Sequence, residues 1–276
     1  MDDLILLNML VLGGAALISA FVLYFVSQKF KVQKDELTEA IAAILPQANC
    51  GGCGCAGCAD FAKACSKADE QKFLNLNCPV GGADVMQKIA NLKGFKSVEK
   101  NKTTAVLLCQ GNCQNAPAKF LYDNVFSCQI ANRLAAAQSG CPHGCLHLGD
   151  CVKACKFGAL SFNEGTKMPE IDWSKCTSCG ACVKTCPRGL FEIRPFSAKE
   201  KMLYVACRNQ QKGAVARKNC SKACIGCGKC AKINEQIIIE NNLSYISPEI
   251  DTDTFGEELA QNCPTGAIIY KGKDHD

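Results

Sequence analysis

Large hydrophobic cores have little to be made from in this chain: only 7% of its 276 residues are aromatic, with a single Trp. A chain of this length would ordinarily close two or more domains around bulky side chains, so something else must hold it together. Histidine is scarce as well. His143 and His147 lie inside a cysteine loop and His275 in a polar tail, which leaves no visible acid–base or nucleophilic constellation. No strand–GxGxxG–helix fingerprint occurs, so dinucleotide chemistry belongs to a partner if it occurs at all. Charge is not striped either: 31 basic and 26 acidic residues are scattered along the chain, and nucleic acid is not an expected partner. No basic segment precedes the first apolar run and no small-residue cleavage site follows it, which argues against a removable export signal.

Cysteine, by contrast, is abundant, with 23 residues. An odd number, tight CxxC spacing and no export signal favour thiols kept as ligands in a reducing compartment over a disulfide scaffold. The clearest stretch is Cys176-Thr-Ser-Cys179-Gly-Ala-Cys182-Val-Lys-Thr-Cys186-Pro187. Three closely spaced thiolates can hold three corners of a [4Fe-4S] cubane, while the fourth, beyond a helical turn, ligates a neighbouring cluster. A zinc ribbon would need only paired CxxC units.

From Leu4 to Val26 there is no charged residue, and at about 1.5 Å per residue such a helix reaches roughly 35 Å, enough to cross a bilayer core. Lys29, Lys31 and Lys34 follow it, so the positive-inside bias puts the remainder in the cytoplasm. Residues 35–45 have helical periodicity and stop at Pro46. The loop Cys50-Gly-Gly-Cys53-Gly-Cys55-Ala-Gly-Cys58 lets backbone amides approach an anionic cluster. Its fourth ligand is assigned to Cys78, in a turn before Pro79, rather than to Cys65, which falls on a helix with Phe61. A helix over 83–92 covers this module, and 96–102 reads as a linker. Beyond it short β-type runs at 106–108, 160–162, 190–193, 203–205, 237–239 and 268–270 alternate with cysteine loops. The segments around Cys141 to Cys155 and Cys220 to Asn234 align, each preceded by an apolar strand ending in a cysteine, Cys109 or Cys207; duplication is the simplest account.

In a two-cluster pattern each motif lends its last cysteine to the other's cluster. Cys176, Cys179 and Cys182 therefore combine with Cys155. Cys145, Cys151 and Cys186 make the partner set, and because Leu148 stands at the second thiolate position, Cys141 is assigned as substitute. In the C-terminal repeat Cys224, Cys227, Cys230 and Cys263 form one complete set. The twin set falls on Asn234, Asp253, Gly256 and Leu259, so one cluster is kept and the other lost. Cys55 and Cys65 are left without a cluster; Cys109, Cys113, Cys128, Cys207 and Cys220 could converge on a fifth cluster or be buried, inert thiols.

The membrane helix, the Cys50 to Gly82 module and the ferredoxin-type repeats together make the whole chain resemble the B-subunit family of the Rnf complex, in its longer cysteine-rich form. Most specific are Cys50, Cys53, Cys58 and Cys78, the Gly144 to Cys155 segment and the Cys176 to Pro187 motif; Lys156 departs from the proline usual after the fourth cysteine. The resemblance implies an α+β chain: a transmembrane anchor (1–28), a small helical 4Fe-4S module (33–94), a connecting region (95–140), a two-cluster ferredoxin-like βαβ domain (141–195) and a degenerate one-cluster copy (196–276). It further implies an electron-relay subunit of an ion-translocating ferredoxin:NAD oxidoreductase. That subunit would carry three to five [4Fe-4S] clusters, meet soluble ferredoxin and other membrane subunits, sit single-pass in the cytoplasmic membrane and have no self-contained catalytic site. A ferredoxin-like subunit of a hydrogenase or formate-oxidising complex would share the repeats but lack the first module. A zinc-binding scaffold would be colourless.

Overall fold

The computed structural model describes residues 2–29, 35–95, 102–120, 127–134 and 139–272. Lys31, Lys34, the linker residues 96–101 and His275 lie outside them. Helix α1 (Asp2–Lys29) contains an apolar span, Ile5–Ser27, with mean hydropathy 2.3 and none of it buried against the rest of the chain. Its Ser19 and Ser27 hydroxyls donate to the carbonyls of Ala15 and Tyr24, at 2.8 and 2.9 Å, which hides polar groups on an apolar helix. Nothing lies within 4 Å of a side chain at Gly13 or Gly14.

Four helices make the first module: α2 (Glu36–Ile44), α3 (Cys58–Lys67), α4 (Glu70–Asn75) and α5 (Gly82–Lys93). Asp35 and Asp69 cap α2 and α4 by accepting backbone N–H bonds, and Gly94, at φ 69°, ends α5 in the left-handed turn that glycine favours. The apolar faces meet around Ile41, Phe61, Cys65, Phe73 and Ile89. From α5, Lys93 Nζ reaches the carbonyls of Ser66 and Ala68, at 3.0 and 2.6 Å, and satisfies the C-terminal end of α3.

The rest is one supersecondary pattern used twice. The first copy runs β1 (Thr103–Leu107), α6 (Cys128–Arg133), α7 (Asp150–Lys153), β2 (Leu160–Asn163), β3 (Met168–Ile171), α8 (Ala181–Thr185) and β4 (Phe191–Pro195). The second runs β5 (Lys201–Val205), α9 (Gly213–Asn219), α10 (Lys229–Ile233), β6 (Ile238–Glu240), β7 (Leu243–Tyr245), α11 (Thr252–Asn262) and β8 (Ile268–Gly272). In each copy an outer antiparallel pair, β1 with β4 or β5 with β8, encloses an inner hairpin, β2 with β3 or β6 with β7. These antiparallel pairs, the only strand pairings among the described residues, are the small two-stranded units expected to alternate with the cysteine loops. β1 comes from the 95–140 region expected to be a connection, and its register with β4 places Ala105 opposite Ile193.

Strands β1 and β5 are buried on both faces, and the alternation explains why. Ala105 packs into the first copy's own core with Cys151, Cys182 and Phe191; Leu203 and Val205 do the same in the second. The opposite faces, Val106, Met202 and Tyr204, join Leu108, Phe196 and Ala206 in a core between the copies. Arg194, 2% exposed, ties this seam through a hydrogen bond from Nη1 to the Leu203 carbonyl (3.1 Å) and an ion pair with Glu192 (3.2 Å).

Candidate iron–sulfur sites

Four cavities are each lined by four thiols. In the first module the four are Cys50, Cys53, Cys58 and Cys78, walled by Leu45, Phe61 and Val80. Asn49, in the left-handed region at φ 44°, accepts the Cys58 N–H at 2.8 Å and pins the loop to α3. The N–H groups of Gly52 and Gly81 point at the sulfurs of Cys50 and Cys78, at 3.4 and 3.3 Å. Cys55 and Cys65 lie outside this cavity. Cys65 is fully buried in the helical core, where desolvation pushes its thiol up to about 12.

Cys155, Cys176, Cys179 and Cys182 line the second cavity. Its loop is fixed by Ser178 Oγ donating to the Thr103 carbonyl (2.6 Å) and by the Ala105 N–H on Cys176 Sγ (3.4 Å), so β1 holds this set from across the sheet.

The third cavity is lined by a set that differs from the spacing-based grouping. Cys145, Cys151 and Cys186 line it together with Cys128, and Cys141 is not among its lining residues. Cys128 opens α6, and the neighbouring Ser127 hydroxyl donates to Asp150 Oδ2 at 3.1 Å, which draws that helix end onto the Cys151 turn. Gln129 Nε2 adds a bond to the Thr185 carbonyl (3.0 Å). Leu148, at the vacated thiolate position, packs with Ala131 and Leu146 instead. N–H groups of His147 and Leu190 face the sulfurs of Cys145 and Cys186, both at 3.4 Å. The His147 ring is engaged by Nδ1 with the Lys167 carbonyl at 2.6 Å and supports the loop.

Cys224, Cys227, Cys230 and Cys263 line the fourth cavity, with the N–H groups of Ser244 and Ala267 on Cys224 and Cys263 at 3.5 and 3.2 Å. At the twin position α11 replaces the cluster loop: Leu259 is fully buried, and a Cβ on Gly256 would stand 2.3 Å from the Tyr270 ring. The remaining thiols divide. Cys113 is exposed, its sulfur 3.6 Å from the Gly165 carbonyl, whereas Cys141 and Cys220 are buried together among Ala116, Ala216 and Ala223, with Cys207 against them. Cys109 lies beside Cys220 across Gly111.

Burial pushes the thiols of Cys145, Cys151 and Cys182 up to about 12. Such groups are neutral alone, and ligation to iron both removes their protons and supplies the positive charge the site lacks. Among the described residues no three of His, Cys, Asp and Glu close on a single ion. Each of the four cavities presents four thiols, the donor set that a cubane takes. One feature had no signal in the sequence: Gly52 packs on the Cys179 backbone, where an added Cβ would meet Cα and O of Cys179 at 2.9 Å, so the first two cysteine loops touch.

Comparison with known proteins agrees with this chemistry. Residues 169–192 match a 4Fe-4S binding domain and residues 45–71 a putative Fe-S cluster family. The chain is 38% identical to the B subunit of the ion-translocating oxidoreductase complex of Methanosarcina acetivorans, over 84% of this chain and 85% of that one. It is 35% identical to the B subunit of the Na(+)-translocating ferredoxin:NAD(+) oxidoreductase complex of Acetobacterium woodii, over 98% and 80% respectively. Identity is 37% to the proton-translocating counterpart of Clostridium ljungdahlii, over 98% and 94%.

Proposed function

Because the chain belongs to the B-subunit family of the ion-translocating ferredoxin:NAD oxidoreductases, the Rnf complexes, we propose that it relays electrons from reduced ferredoxin towards membrane partners through thiolate-held clusters. Bound [4Fe-4S] groups supply one-electron exchange at low potential. Cys50, Cys53, Cys58 and Cys78 hold one; Cys155, Cys176, Cys179 and Cys182 a second; Cys128, Cys145, Cys151 and Cys186 a third; Cys224, Cys227, Cys230 and Cys263 a fourth. Sodium- and proton-named relatives match this chain about equally well, and the Leu4 to Val26 span offers no ionisable relay group of the kind ion paths use. Ion movement, NAD chemistry and the choice of ion therefore belong to partner subunits, and the chain needs no catalytic site of its own.

Cys227 carries the direction of the relay. It is the one exposed thiol of those sixteen, and a soluble carrier must come within reach of a cluster edge. At the opposite end α1 stops at Lys29 and α2 starts at Glu36, and so short a connection, at about 3.5 Å per residue, keeps the first module close to the bilayer. Electrons arrive at the Cys227 end and leave through the first module. Anaerobic full-length protein in detergent should be brown, and reduced ferredoxin should bleach it; removing the far cluster by Cys224→Ala and Cys230→Ala should slow the bleaching of the remaining clusters. An unchanged rate would move the arrival point elsewhere. Lys29, Lys31 and Lys34 hold the cluster-bearing body in the cytoplasm, so protease outside intact cells should leave it whole, and digestion beyond residue 34 would reverse the orientation.

A further inference from the structure

Four cysteines that belong to none of those cavities meet at the seam between the two ferredoxin-type copies, and we propose that Cys109, Cys141, Cys207 and Cys220 ligate a fifth [4Fe-4S] cluster there. The inference rests on the electron-relay reading and extends it.

Each copy contributes an equivalent pair. Cys109 and Cys207 follow the outer strands β1 and β5, while Cys141 and Cys220 stand four positions before Cys145 and Cys224. Duplication thus brings two identical half-sites together, which explains why neither copy completes the site alone. Three contacts fix the convergence. A Cβ on Gly111 would lie 3.4 Å from Cys109 Sγ and 3.9 Å from Cys220 Sγ, so those sulfurs flank one point, and glycine leaves it free. Asn209, 1% exposed, places its Nδ2 at 3.5 Å from Cys141 Sγ and its backbone N–H at 3.4 Å from Cys207 Sγ, and so spans the other two. Cys141, Cys207 and Cys220 share one alanine-walled cluster with Ala116, Ala216 and Ala223, small side chains that leave room between the thiols.

The donors match those of the other sites. N–H groups two residues on face Cys109 (Gly111, 3.3 Å) and Cys207 (Asn209, 3.4 Å), as they do Cys50 and Cys145. N–H bonds to sulfur stabilise the charge of a thiolate-bound cluster and tune its potential. Four inert thiols would need no such donors. The position also fits a relay: Cys109 neighbours Cys145 of the third set and Cys207 neighbours Cys224 of the fourth, so this site borders both.

Iron and acid-labile sulfide in anaerobically prepared full-length protein decide the matter, supported by Mössbauer spectra. Five cubanes give about 20 irons per chain and four about 16. Cys207→Ser with Cys220→Ser should lower the count by about 4 irons, and Cys113→Ser should leave it unchanged. Should the double variant fail to fold, Asn209→Ala serves instead: the iron count stays and the potential of one cluster alone falls. Wild type at about 16 irons that the double variant does not lower would overturn the proposal, as would one zinc or a disulfide at these thiols, while the relay reading stood. Absence of iron altogether would instead overturn the relay reading.

Discussion

Replacing Cys128 and replacing Cys141 should each cost one cluster, but different ones. Cys128 lines a cavity with Cys145, Cys151 and Cys186, and Cys141 lies with Cys220 and Asn209. Combined with Cys207→Ala, Cys128→Ala should therefore remove about 8 irons, whereas Cys141→Ala should remove only about 4, since Cys141 and Cys207 share a site. A loss of eight in the second pair would return Cys141 to the Cys145 set. Cys65→Ala should keep all iron and cost stability alone, about 1 kcal/mol for a small buried vacancy, while Cys78→Ala should lose about 4 irons. Where ligands follow motif spacing, as at Cys176 to Cys186, their grouping was legible in the sequence. Cys128 was not, because its place depends on a hydrogen bond from Ser127 to Asp150, far along the chain.

At the scale of elements, apolar runs located six of the eight strands among the described residues. β3 escaped because Pro169 interrupts it, and β7 because Ser244 breaks its short Leu-Ser-Tyr run where β6 has consecutive isoleucines; α4, six residues opening at Asp69, was too short for its periodicity to register. The pairing of β1 with β4 joins segments separated by two cluster loops, a closure that local pattern does not encode. The most consequential element is α11. Asp251 accepts the N–H groups of Asp253 and Thr254 and starts a helix where the first copy has its cluster loop. Cysteines at positions 234, 253, 256 and 259 would need that helix to unwind. The fourfold variant Asn234→Cys, Asp253→Cys, Gly256→Cys and Leu259→Cys should therefore gain no iron. It should also unfold more readily, since truncating the fully buried Leu259 alone removes about 2 kcal/mol. A gain of about 4 irons would show that only ligands had been lost, with the site's shape intact.

Across the whole molecule, function requires that clusters in separately folded modules lie close, and here that closeness depends on a residue without a side chain. Gly52 lies between the first module's cysteine loop and the Cys179 backbone; an added Cβ would stand 2.9 Å from both Cα and O of Cys179 and 3.2 Å from its Cβ. Those neighbours are mostly main chain of a ligand loop held by Ser178 on Thr103, so they cannot rotate away as a flexible side chain would. Gly52→Val must push the first module outward while leaving every thiol in place. Its iron content and visible spectrum should equal those of the wild type, whereas passage of electrons between the first module and the rest should slow severalfold, because tunnelling falls steeply with distance. Rapid mixing with reduced ferredoxin, followed by freeze-quench spectroscopy, would read this as one cluster lagging behind the others. If all clusters of Gly52→Val reduce together at the wild-type rate, electrons do not cross at this contact. The first module would then have to exchange them through another face.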